Sequence, residues 1–258
     1  MAVATILVLL LTCSLSFGAQ AFSNASAADP VGPTSPSVLD VGERADLLIV
    51  RKQYQDAFDL VQEAIREGDG SADLYNRLGI AAEELRQLKV AEKAYKQAIR
   101  RNSHKAEYYN NLGTIYYSQR KWGKALSWYK KALKRNQTVP SFLVNAGMAE
   151  FSRRHYPQAT RYFRSALLLD PNALFPESSG GTVVQNLDHE DPALFHFNLA
   201  RLFCSLGHID DAMHQFRMAL ELHYRHINDV YHDQAFAPLL NRPDFVAVMK
   251  NATLISRR

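Results

Sequence analysis

Apolar positions along this chain recur at helical spacing. Leu112 and Tyr116 stand four apart, as do Trp122 and Leu126, and Tyr129 and Leu133. Each segment therefore carries one apolar stripe of the kind a buried helix face requires. The stripes sit inside a longer rhythm. Alanine returns every 34 residues at Ala57, Ala91, Ala125 and Ala159, and again seven residues later at Ala64, Ala98, Ala132 and Ala166. Glycine keeps the same beat at Gly79, Gly113 and Gly147. Three position classes holding one period predict stacked supersecondary units, each a pair of antiparallel helices. Small residues belong where two helix axes approach to about 8–10 Å. A leucine at position 125 would overpack that seam at a cost of about 1–3 kcal/mol.

The clearest unit is 106–139, which reads Tyr109-x2-Leu112-Gly113-x2-Tyr116, then Trp122, Ala125-x3-Tyr129 and Ala132. It resembles the tetratricopeptide repeat (TPR) signature at the same period. The resemblance spans roughly residues 40–249 and implies an all-α, right-handed superhelical solenoid of about five helix pairs closed by a capping helix. Four units follow in register: 38–71, 72–105, 106–139 and 140–173. The first is degenerate, with Arg44-Ala45 where Leu-Gly would sit. The beat then breaks, because Ala159 and Ala212 are 53 residues apart, 19 more than the period. The stretch 174–192, rich in Pro, Ser and Gly, reads as an inserted surface loop. Leu199-Ala200, Phe203, Phe216 and Ala219 restore the pattern in a fifth unit at 193–226, and 227–249 reads as the cap, leaving a tail at 250–258.

Residues 2–21 carry no charge, and Ile6 to Leu11 is a continuous apolar run. With small-x-small sites at Ala19-Gln20-Ala21 and Ala25-Ser26-Ala27, the start reads as a signal peptide over 1–21, although its first residues lack Lys or Arg. The alternative is an uncleaved membrane anchor over 2–21, about the length that spans a bilayer. Residues 22–37, rich in Ser, Ala and Pro, read as a disordered linker. The expected compartment is the periplasm or cell envelope. Beyond the export segment one cysteine remains, Cys204, so no disulfide staples the array, and a packed thiol is expected there.

Catalytic chemistry finds little footing. The chain has no Gly-rich phosphate loop, Gly-x-Ser-x-Gly or His-Glu-x-x-His. His223 and His226, three apart, are the minimum for two metal ligands on one helix face, but no third ligand is well placed. No cofactor, metal or catalytic residue is expected. Asp210 and Asp211 suit the first turn of a helix, where carboxylates meet the positive end of its dipole.

Two surfaces are candidates for binding. In the family that this chain resembles, the first helix of each pair lines a concave groove. Position six of successive units then places Arg77, Asn111, Asn145 and Asn198 in a row. An asparagine offers donor and acceptor on a short stem, and the row is similar to the asparagine ladders that line some TPR grooves. Asn76, Asn110, Tyr117, Met148, Phe151 and Arg201 are expected beside it, turning the groove from polar to apolar along the array. The other surface follows from charge. Residues 86–169 hold 18 Lys or Arg against three acids, a local +15 between segments of −7 and −4. Lys93, Lys96 and Arg100, Lys130 and Lys134, and Arg161 and Arg164 fall at helical spacings. They predict a basic convex face without interleaved aromatics.

The expected function is an exported, non-catalytic scaffold that holds an extended segment of a partner protein in the groove. Asn111, Asn145 and Asn198 would serve main-chain contacts, with Tyr117 and Phe151 as side-chain anchors. The alternative is a peripheral envelope protein docking on anionic lipid or polysaccharide through the basic face. Export argues against nucleic acid, and self-association through the ends of the array stays open.

Overall fold

A computed structural model describes residues 39–174 and 191–255. The expected signal peptide, the linker, most of the inserted loop and the last three residues lie outside the described residues. What is described is all-helical. Five pairs follow one another: α1 (Val41–Val50) with α2 (Tyr54–Arg66), α3 (Ala72–Glu84) with α4 (Leu88–Arg101), α5 (Ala106–Ser118) with α6 (Trp122–Leu133), α7 (Pro140–Ser152) with α8 (Tyr156–Leu169), and α9 (Pro192–Leu206) with α10 (Ile209–Glu221). The starts of α3, α5 and α7 are each 34 residues apart, as are those of α2, α4, α6 and α8.

Local chemistry fixes the ends. Asp40 and Glu43 form a reciprocal capping box at α1, the Asp40 carboxylate accepting from Glu43 N at 2.7 Å. Ser71 caps α3 and Asp191 caps α9, where Pro192 opens the first turn. The turn inside each pair also repeats. Lys52, Arg86, Arg120 and Arg154 take φ of 60°, 61°, 57° and 63°, and Gly207 fills the equivalent place in the fifth pair at 79°. At each one, paired backbone bonds close the preceding helix; in the third pair Arg120 N donates to Tyr117 O at 2.8 Å and Lys121 N to Tyr116 O at 2.9 Å. This is the Schellman closure, which needs a left-handed residue.

The glycines sit where the two helices of a pair touch. A Cβ on Gly79 would lie 2.4 Å from the Tyr95 ring, one on Gly113 2.5 Å from Tyr129, and one on Gly147 2.5 Å from Phe163. Those rings, at most 3% exposed, are core. The first helices of successive pairs also touch, α1 with α3, α3 with α5 and α5 with α7, whereas the second helices make no comparable contact. The array therefore curves with its first helices inside. Among the described residues the α8–α9 junction, where the insertion enters, is thinner than the others.

After α10 the chain turns through two short 3-10 segments, Ile227–Tyr231 and Gln234–Phe236, into α11 (Ala237–Leu240) and α12 (Pro243–Ile255). Val230, Phe236, Leu239 and Phe245, all at most 1% exposed, seal the last apolar face, with the Phe216 and Phe245 rings 5.0 Å apart. Arg242 ties this end down by donating to Asp210 at 2.8 Å and Asp244 at 2.9 Å. No helix among the described residues is long and apolar enough to cross a membrane.

Candidate functional site: the inner face

The first helices bring most of the expected groove residues together, but they wire many of them to one another. Asn111 Nδ2 donates to Asn76 Oδ1 at 3.0 Å, and Asn145 Nδ2 donates to Asn110 Oδ1 at 2.9 Å. A longer bond of 3.4 Å from Asn110 to Asn111 links the two rungs. Asn110, Asn111 and Asn145 are 1, 6 and 0% exposed. The ladder therefore joins repeats, each position-six amide reaching the position-five amide of the repeat before it. It stops where the sequence stops supplying partners. Position five of the fourth repeat is Val144, so Asn198 has no amide to meet and donates to Leu194 O of its own helix at 2.9 Å.

The two expected anchors, Tyr117 and Phe151, and one expected groove residue, Met148, are corrected. Tyr117, Met148 and Phe151 are 8, 2 and 6% exposed and belong to the apolar core. Tyr117 shares a hydroxyl bond of 2.8 Å with Ser152, and Phe151 meets Phe195 edge-on at 5.1 Å. In a curved array the first helices lie against one another, and their inner flanks are consumed by that packing. Arg201 is exposed and pairs with Asp233 at 2.5 Å.

The accessible part of the inner face is its amino-terminal half. Arg77 grips Asp46 with two bonds, Nε to Oδ1 at 2.8 Å and Nη2 to Oδ2 at 2.6 Å, a fork that raises its pKa further. Asp73 accepts from the Tyr108 hydroxyl and from Lys105 Nζ at 3.0 Å, and these bonds, the tyrosine's foremost, hold its carboxyl below the usual range. Asp46, Asp73 and Lys105 were not singled out by sequence reasoning. Their signal was present, since Asp73 and Tyr108 are 35 residues apart, as are the two asparagine rungs. Asn76 beside them is partly exposed, with its carbonyl engaged and no partner on its amide nitrogen among the described residues.

On the outer side Lys93, Lys96, Arg100, Lys130, Lys134, Arg161 and Arg164 are all exposed. Lys96 pairs with Glu92 at 2.5 Å and Arg164 donates to Ser205 at 2.8 Å. The other five have no carboxylate within ion-pair distance among the described residues. Basic residues outside these stripes do meet aromatic rings: Lys131 lies 3.7 Å over the Trp128 ring and Lys124 6.0 Å over Tyr116.

The remaining chemistry is sparse. Helix α10 ends at Glu221, so His223, in the left-handed region, and His226 lie in a turn rather than on one helix face. With Asp191 and Arg225 they border an open cleft of about 510 Å³. Among the described residues no three His, Cys, Asp or Glu are grouped to hold a metal. Cys204 is 5% exposed, and burial pushes its thiol up to about 11, which suits a packed side chain rather than a nucleophile.

Comparison with known proteins agrees with this geometry. The tetratricopeptide repeat family model matches residues 76–140. Among solved structures, MamA is similar at 14% identity over 72% of this chain and 95% of its own, with a TM-score of 0.50. A second MamA structure, AMB-1, is 17% identical over 71% of this chain and 98% of its own, also at 0.50. YrrB, described as a TPR protein with an unusual peptide-binding site, is 16% identical over 74% of this chain and 89% of its own at 0.47. At such identity the MamA likeness is one of fold. No curated protein matches the sequence.

Proposed function

We propose that this chain, which matches the tetratricopeptide repeat model over residues 76–140 and shares the fold of MamA, is an exported, non-catalytic adaptor that takes an extended segment of a partner protein along its inner face. The segment enters at the amino-terminal half. One observation carries this reading: at the start of the asparagine ladder a partly exposed amide, Asn76, has an unengaged nitrogen beside the forked Arg77 guanidinium. That pair offers side-chain donors to the main-chain carbonyls of a partner segment, in a surrounding of Asp46, Asp73 and Lys105. Asn110, Asn111 and Asn145 position the site by holding successive repeats in register.

Affinity capture from an envelope extract, using the chain from Phe22 onward, tests the reading. Raising salt shortens the Debye length from about 10 Å at 0.1 M to about 3 Å at 1 M. A single protein retained through that change by the native chain, and lost by the Asn76→Ala/Arg77→Ala variant, is the expected result. Equal retention by the variant would remove the inner face as the binding site. Export is checked separately by sequencing the amino terminus of the secreted protein, which should begin near Phe22.

A second reading has its own observation, the five exposed bases Lys93, Arg100, Lys130, Lys134 and Arg161 without carboxylate partners. In this reading the outer face docks on an anionic envelope surface. It predicts capture of lipid or polysaccharide that salt alone releases, abolished by charge reversal at Lys93, Arg100, Lys130 and Lys134.

A further inference from the structure

Between the second and third repeats one hydroxyl has too few hydrogens for its neighbours. Thr114 Oγ1 lies 2.7 Å from the backbone carbonyl of Asn111 and 3.0 Å from Glu83 Oε1. A carbonyl only accepts, and a threonine hydroxyl has a single hydrogen to give. The shorter contact commits that hydrogen to Asn111. The Glu83 contact then becomes a hydrogen bond only if the glutamate supplies the proton, its acid O–H donating to Thr114 Oγ1. The other carboxyl oxygen, Oε2, accepts from the Tyr95 hydroxyl at 2.8 Å. With the acid protonated every group in the chain Tyr95–Glu83–Thr114–Asn111 is matched. With it ionised, two acceptors compete for one hydrogen across the repeat junction.

We propose that Glu83 is held as a carboxylic acid in the assembled array and serves as a proton-operated latch between the second and third repeats. It joins three helices: α3, which carries it, α4 through Tyr95, and α5 through Thr114. The groups that face it agree with a neutral acid. On its own helix Glu84 repels a second charge, while Arg86, just beyond the helix, opposes this with the smallest of the named effects on Glu83. On α4 and α6 it faces the fully buried Tyr95 and Tyr129, neutral phenols whose own ionisation its charge would oppose. Burial pushes the Glu83 carboxyl up to about 7, outweighing the pull of the neighbouring hydroxyls towards the ionised form. Thirty-four residues further on, the same position holds Tyr117 and then Phe151, so the latch belongs to this junction alone.

The sign is fixed by linkage. A carboxyl whose folded-state pKa lies above its unfolded value binds its proton more tightly when folded. Its stabilisation is full below the ordinary carboxylate range, declines as pH rises towards 7 and is gone above it. Lowering pH through this window stiffens the amino-terminal half of the inner face, and raising it loosens that half.

Thermal unfolding of the full chain between pH 5 and pH 8 provides the test, with Glu83→Gln in parallel. Glutamine mimics the protonated acid, its amide N–H facing Thr114 and its carbonyl facing Tyr95. The native chain should lose about 5 °C or more of Tm relative to the variant across this range. Equal pH dependence of the two chains would overturn the proposal. If the variant fails to fold, the carbon-13 titration of the Glu83 carboxyl in the native chain decides. A midpoint near 7 supports the latch, and one in the ordinary carboxylate range overturns it.

Discussion

The junction between the second and third repeats and the junction between the fourth and fifth hold the same helical register with opposite chemistry. The first is wired: Asn111 to Asn76, Tyr108 and Lys105 to Asp73, and Glu83 between Tyr95 and Thr114. The second is packed with rings. Phe195 stands edge-on to Phe151 at 5.1 Å and Phe163 at 6.0 Å, and beyond the junction Phe197 continues the ring packing inside the fifth repeat, on Tyr224 at 4.4 Å, and against the cap, at Phe236 at 5.0 Å. The period dictates where helices meet and leaves open what they meet with. Hydrogen bonds demand matched partners at fixed offsets, so the wired junction is specific but fails if one partner is lost. Apolar packing tolerates exchange of shape more readily and contributes through buried area.

The sharpest way to break this contrast is to remove a ring. Phe195→Ala empties a 5% exposed site shared by the fourth and fifth repeats. The expected cost is about 3–5 kcal/mol. Because repeat arrays couple mainly to nearest neighbours, denaturant unfolding should separate into two steps, with α9–α12 melting first. A single unchanged transition would show that the two halves do not hold themselves together independently.

Gly113 and Ala200 sharpen the comparison at the next level. They occupy equivalent positions, Gly113 against the Tyr129 ring and Ala200 in the helix paired with Phe216. A methyl at Gly113 would meet the ring at 2.5 Å, so Gly113→Ala should destabilise by about 1–3 kcal/mol despite the better helix propensity of alanine. Ala200→Gly should cost about 1–2 kcal/mol, from helix propensity together with the loss of a fully buried methyl rather than from any close approach. A stabilising effect of Gly113→Ala in urea would mean that the close approach is not what selects glycine. At the wired rung, Asn145→Ala leaves the buried Asn110 carbonyl without that donor, an expected loss of about 1–2 kcal/mol, whereas Asn198→Ala, whose bond stays within its own helix, should cost less.

Much of the helical framework was legible because close approach admits few residues. Gly79, Gly113, Gly147 and the recurrent alanines keep the 34-residue beat since each glycine sits under a ring and each alanine is buried, and those constraints repeat with the pair. The inner face was read less well. A register assigns a residue to a side of a helix but not to what lies opposite, and opposite Tyr117, Met148 and Phe151 lies the rest of the core. The asparagines looked like a row aimed at a ligand because positions five and six were read as neighbours in one groove rather than as partners across repeats. Their partners at position five, Asn76 and Asn110, repeat at the same interval and turn the row into a set of cross-links. His223 and His226 looked like helix neighbours because nothing in their spacing announces that α10 ends at Glu221.

A last contrast between the two ends lies in the turn inside each pair. Lys52, Arg86, Arg120 and Arg154 were counted as charge, yet all four adopt the left-handed conformation that Gly207 adopts in the fifth repeat. An L side chain there costs about 1–2 kcal/mol of backbone strain, and glycine avoids it while losing more chain entropy on folding. The exchange is cleanest at Lys52, an exposed residue with no side-chain partner among the described residues. Lys52→Gly should therefore stabilise the array by roughly 0.5–1 kcal/mol, and Gly207→Lys should destabilise it by a similar amount. Both are read from the urea midpoint at constant slope, which separates a change in stability from a change in the surface exposed on unfolding. A loss of stability on Lys52→Gly would mean that entropy outweighs strain at this turn, and that the basic residues hold the left-handed closure without penalty.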